Sequence, residues 1–179
     1  MKLLRTIRLD PSDTFVFERA AEPGEWAVSG AFMFAHADAD ALEGKSRAAF
    51  RSGFLGAASL GWSTLVQIVE ASEADRDALV GALGRQLHER LGAPDLAVAH
   101  AAAEEEVTFA ASLCDHPLDT LIAVRRTFED GAIREAFRTL HPRGTRKPMR
   151  AFSFVEVENE EEPHEDVDLL ALGQRNGTD

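Results

Sequence analysis

Apolar and polar residues alternate through the first and last thirds of the chain, and apolar residues recur every three to four positions between them. Residues 3 to 9 and 14 to 20 predict two strands separated by Asp10-Pro11-Ser12-Asp13. After the turn Glu22-Pro23-Gly24-Glu25, residues 26 to 34 place Trp26, Val28, Gly30, Phe32 and Phe34 on one face, the pattern of a half-buried antiparallel strand. Residues 36 to 61 are irregular apart from a short helix expected at 45 to 52, and 62 to 70 return to a β-branched strand.

Two long helices follow. Ser72 and Asp75 form a capping box, Leu79, Val80, Leu83, Leu87 and Leu91 make a stripe, and Gly92 and Pro94 end a helix at about 73–91. Residues 95–114 predict a second. At about 100° per residue its Glu106 has Val98, Ala102, Phe109 and Leu113 on one side and Leu96, Ala99, Ala103, Val107 and Ala110 on the other. Glu104 and Glu105 point toward the polar face. A carboxylate in an apolar arc has to meet a cation, share a proton, bind a metal or line a cavity. The cations within reach of that argument are Arg76 and Arg90 on the preceding helix and Arg125 and Arg126 on a strand.

Residues 119–128 and 132–140 flank Glu129-Asp130-Gly131, a hairpin with the favoured Asp-Gly turn. A basic loop (Arg143, Arg146, Lys147, Arg150), a strand at 151–158 and an acidic, frayed tail at 159–179 complete the chain. The order strands, two helices, strands predicts one α+β domain over 1–158, a mostly antiparallel sheet with both long helices on one face. The expected core is Trp26, Val28, Phe32, Phe34, Val66, Ile68, Leu83, Leu87, Phe109, Ile122, Val124, Phe152 and Phe154.

The charge narrows the partners. A net charge of −12 over 179 residues argues against nucleic acid and anionic membranes and leaves basic protein partners or a homodimer open. A single cysteine, Cys114, excludes an internal disulfide. The start MKLLRTIRLD has too short an apolar run for a signal peptide, and no apolar stretch is long enough to span a membrane, so a cytoplasmic protein is expected.

Three groups of residues carry candidate chemistry. Glu106, desolvated, is the candidate catalytic acid or base. His36, Asp38 and Asp40 would share a face if extended and could ligate a divalent cation; otherwise they cap a turn. Arg47 and Arg51 beside Gly53 and Gly56 suggest an anion-binding loop, against the simpler reading that the glycines allow tight bends. Gly44-Lys45-Ser46 is not a P-loop, because Ala39 stands where the first glycine belongs. Cys114 sits at a helix C-terminus beside Asp115, and both should raise its thiol pKa. No cofactor is assigned.

The segments LLRTIRLDPSDTFVFERAAEPGEWAVSGAF and RTFEDGAIREAFRTLHP resemble small proteobacterial proteins grouped as a family of unknown function. That resemblance implies no activity, cofactor or site. The leading expectation is a non-enzymatic cytoplasmic accessory or protein-interaction domain. The alternatives are a small hydrolase or transferase built on Glu106 or the His36 cluster, and a small-anion-binding domain using Arg47 and Arg51.

Overall fold

The computed structural model of the chain describes residues 1–141 and 156–157. The expected basic loop, the acidic tail and the core positions Phe152 and Phe154 lie outside them. The elements are β1 (Lys2–Ile7), α1 (Asp13–Val16), β2 (Trp26–Val28), α2 (Gly44–Ser52), β3 (Phe54–Gly56), β4 (Trp62–Ser63), β5 (Leu65–Glu70), α3 (Glu73–Leu91), α4 (Leu96–Ser112), β6 (Leu121–Glu129), β7 (Ala132–His141) and β8 (Glu156–Val157). Short 3₁₀ turns cover Ala31–Phe34 and Ala39–Ala41. The fold is α+β: one sheet in the order β4-β3-β2-β1-β5-β6-β7-β8, antiparallel between every neighbouring pair.

Alternation sets the inner face. Leu4 lies opposite Ala27 and Ile68, Val66 opposite Ile122, and Val124 opposite Phe137. All but the half-buried Phe137 are buried. Leu79, Val80, Leu83 and Leu87 of α3 and Ala99, Ala103, Val107 and Ala110 of α4 are buried against this core. Small residues let the two helices approach closely: a Cβ on Gly84 would sit 3.5 Å from the His100 Cα. The expected capping box is present, with Ser72 and Asp75 satisfying each other's backbone N–H, and Gly92 ends α3 in a left-handed conformation at φ 78°. The β6–β7 hairpin also forms as expected, with Asp130 and Gly131 both at positive φ.

Three expected strands are shorter or absent, each for a tertiary reason. Residues 14–20 begin with the helical turn α1, so Asp13 and Phe17, four apart, are buried while Phe15 is 73% exposed. The Asp13 carboxylate accepts the Thr64 N–H (3.1 Å) and hydroxyl (2.5 Å). That draws Thr64 out of the sheet ladder and divides 62–70 into β4 and β5. The strand expected at 26–34 stops at Val28, because Gly30 turns left-handed (φ 82°). A Cβ there would lie 2.6 Å from the Leu55 Cβ and 2.9 Å from the Trp62 ring. Trp26 is half-buried on the outer face, under the Arg5 guanidinium at 3.9 Å, and Phe109 is 39% exposed.

The sheet curls. β1 and β5 lie between β2 and β6 in the strand order, yet Arg126 of β6 reaches Ser29 just after β2. Helix α2 fills the gap, its Phe50 ring stacked on Phe128 at 4.3 Å.

Candidate functional site

Arg126 and Glu135 face each other across the β6–β7 ladder and point inward. Arg126 is 1% exposed, the largest fully buried side chain among the described residues. Its Nε donates to Glu135 (2.7 Å), and its Nη1 donates to the carbonyls of Phe50 (3.1 Å) and Gly53 (2.6 Å). Its Nη2 donates to the Ser29 carbonyl and hydroxyl oxygens, and the Ser29 hydroxyl donates to Glu135. Five donors thus meet five acceptors, which is what a buried guanidinium requires. Two of the acceptors belong to the C-terminal end of α2, where the negative end of the helix dipole also favours a cation. Burial lowers the guanidinium's affinity for its proton, and Glu135 counteracts this. Neither Glu135 nor Ser29 stands out in the sequence, where Arg126 enters only as a partner for Glu106. The available signal was phase: Arg126 continues the inward alternation of Ile122 and Val124.

Glu106 of α4 lies within electrostatic reach of this network. Three residues further along α4, Phe109 packs edge-on against Phe137 of β7 at 5.9 Å. Glu106 is half-buried, and its pKa is pushed up to about 7, first by desolvation, then by the negative charge of Glu135, with Arg126 opposing and Glu105 adding to the rise. Among the described residues it makes no ion pair or side-chain hydrogen bond. The four arginines considered as its partners are engaged or placed elsewhere. Arg76 binds Glu104 (2.7 Å) and Thr108 (3.2 Å), so Glu104 is not a free surface carboxylate as its wheel position suggested. Arg90 and Arg125 are exposed, and Arg126 has all its donors committed.

The other candidates lie apart. Asp38 caps the 39–41 turn by accepting the Asp40 N–H (3.0 Å), and His36, Asp38 and Asp40 are all exposed. Among the described residues no three His, Cys, Asp or Glu side chains are gathered as a metal requires. Arg47 and Arg51 are exposed on α2, with the Arg47 Nε donating to the Leu42 carbonyl (2.7 Å). The nearby loop does bind an anion, but its own: Glu25 accepts the N–H groups of Ala58 and Ser59 (both 3.0 Å) and the Ser59 hydroxyl (2.6 Å). Gly56 makes room, since a Cβ there would collide with the Glu25 carboxylate. Cys114 is buried and its thiol is pushed up to about 11, by burial and not by Asp115.

The outer side of α4 carries a shallow groove lined by Glu104, Glu105, Thr108, Phe109 and Ser112. Val98 (49% exposed) and Phe109 extend an apolar strip along the same helix, with Ala102 between them also exposed. Glu106 does not line the groove. Among the described residues no helix is long and apolar enough to cross a membrane.

Residues 1–157 match the model of a family described as of unknown function, DUF6505. No curated protein and no solved structure matches the chain.

Proposed function

The chain belongs to that family, and we propose from its own geometry that it is a cytoplasmic, non-enzymatic accessory domain that docks a basic segment of a partner protein on the outer side of α4. The groove beside Phe109 carries this reading. It joins an exposed aromatic side chain to Glu104 and Glu105 on a chain of net charge −12. Glu104 is already held by Arg76, which leaves Glu105, exposed and without an ion pair among the described residues, as the carboxylate that meets the partner. An apolar anchor from the partner would cover Phe109, and a flanking Lys or Arg would face Glu105, steering the encounter in a salt-dependent way.

The alternatives have less support. An acid–base enzyme centred on Glu106 has no substrate seat in the groove, which Glu106 does not line. An anion site at Arg47 and Arg51 finds the neighbouring backbone donors taken by Glu25.

The test is affinity capture with wild type, Glu105→Lys, Phe109→Ser and a chain ending at residue 158. A partner that is lost with both substitutions, is released by about 0.5 M salt as screening shortens to a few ångströms, and is rich in Lys or Arg supports the reading. A partner retained by both variants refutes it. Loss only on removal of 159–179 would move the contact to the acidic tail.

A further inference from the structure

The outer side of the β6–β7 hairpin is basic. Ile122, Val124 and Arg126 of β6 and Glu135 and Phe137 of β7 point inward, so Arg125, Arg134, Ala136 and Arg138 lie on the opposite face. All four are exposed. Arg125 stands opposite Ala136, and Ala136 lies between Arg134 and Arg138 along β7. The diagonals from Arg125 to Arg134 and Arg138 are about 7–8 Å, within reach of long side chains. Three guanidinium groups therefore share the space above one methyl group, where like charges repel and an anion is favoured. The hairpin supplies little counter-charge. Arg134 is 3.9 Å from Glu129 with both side chains exposed, and among the described residues Arg125 and Arg138 pair with no carboxylate. On the other side of β6, β5 contributes Leu65 opposite Ala123 and Gln67 opposite Leu121, neither of them charged.

We propose that this arginine strip is the docking surface for the chain's own acidic segment, residues 158–168. The segment carries seven Asp or Glu residues and no Lys or Arg, the charge complement of the strip. The described residues fix where it starts. Glu156 and Val157 of β8 pair with His141 and Leu140 of β7, and Leu140 lies two residues from Arg138 on the same face. Because β8 runs antiparallel to β7, its exit is directed along β7 toward Arg138 and Arg134. From Leu140 to Arg134 the strand spans about 20 Å, and a segment of this length reaches about 35 Å when extended. Exposed ion pairs are worth little one at a time. Here the tether raises the local concentration of the segment to the millimolar range or above, so contacts too weak to hold a free peptide suffice. The proposal does not depend on α4 docking a partner.

The experiment is paramagnetic-relaxation NMR on the full chain with a nitroxide at His164→Cys; Cys114 is buried and stays unlabelled in the folded chain. The amide signals of residues 125 and 134–138 should broaden while those of α3 do not. That broadening should fall about threefold or more between about 20 mM and about 0.5 M salt, as screening shortens from tens of ångströms to a few. It should vanish when Arg125→Gln, Arg134→Gln and Arg138→Gln are combined. Broadening that survives the triple substitution, or that is confined to the basic residues 143–150, overturns the proposal. So does broadening seen only when the nitroxide is on one copy and the isotope on another, since the occupant is then a second chain. Should the triple variant not fold, the salt series on the labelled chain decides: broadening at 125 and 134–138 that is absent or indifferent to salt overturns the docking.

Discussion

Replacing Arg126 by alanine should bring the domain to the edge of unfolding. The side chain is 1% exposed and, among the described residues, supplies the only donors to three carbonyl oxygens, those of Phe50, Gly53 and Ser29, at that junction. Deleting one partner of a buried ion pair costs about 3–5 kcal/mol. Each buried carbonyl left without a donor adds about 1 kcal/mol or more, reduced where water enters the space vacated. A total near 5 kcal/mol is comparable with the whole stability of a small domain, about 5–15 kcal/mol. Urea unfolding followed by tryptophan fluorescence suits the measurement, because Trp62 is 9% exposed and packs against Gly30 and Gly53 beside the network. Arg126→Lys, with three donors in place of five, should lose about 2–3 kcal/mol, since charge survives and the forked geometry does not. Arg126→Met combined with Glu135→Leu should recover about 2 kcal/mol relative to Arg126→Met alone, because no carboxylate is then stranded. A loss below about 1.5 kcal/mol for Arg126→Ala, within the range of ordinary substitutions, would refute the network as the structural junction of α2, β2, β6 and β7.

Further outcomes follow from the same contacts. Folded Glu106 holds its proton to about pH 7 against an ordinary 4.5, so the folded state binds more protons between those values and stability falls as pH rises through that window. At 1.36 kcal/mol per pH unit, halved for partial solvent exposure, the penalty above pH 7 is about 1–2 kcal/mol; Glu106→Gln should therefore be more stable than wild type at pH 8 and close to it at pH 4.5, and unfolding curves at both values check this. Gly56→Ala should displace the Glu25 carboxylate from the Ala58 and Ser59 amides and cost about 1–3 kcal/mol; equal stability would show that the clasp contributes nothing. Cys114, buried with its thiol pushed up to about 11, should resist a disulfide reagent in the native state at pH 8 and react at once in urea.

Local signals carried the parts of the fold that the chain specifies locally. The Ser72–Asp75 capping box and Gly92 mark α3 because caps are chemistry between residues three or four apart. Asp130-Gly131 marks the long hairpin in the same way. The errors fall where a distant residue decides. Residues 14–17 alternate like a strand, but Asp13 is claimed by Thr64, 51 positions away. The buried stripe of α4 is Ala99, Ala103, Val107 and Ala110, which an alanine-rich wheel locates poorly, so Phe109 looked like core and is 39% exposed. That arc did place Glu106 near the apolar face, and its half-burial follows from it. Its surroundings were not legible, because Ser29, Arg126 and Glu135 are brought together only when the sheet curls. Glu25 left no sequence trace beyond the spacing of Gly56 and Gly61.

The proposed function turns on whether the outer side of α4 meets a partner in the cell. Photo-crosslinking side chains placed at position 98, at position 109 and, as a control, at exposed Arg85 on α3 should settle it in the native host. The account predicts one shared protein captured from positions 98 and 109, absent from 85, joined through a Lys- or Arg-rich segment, and lost when Glu105→Lys is added. Capture that is the same from all three positions, or that survives Glu105→Lys, would contradict it.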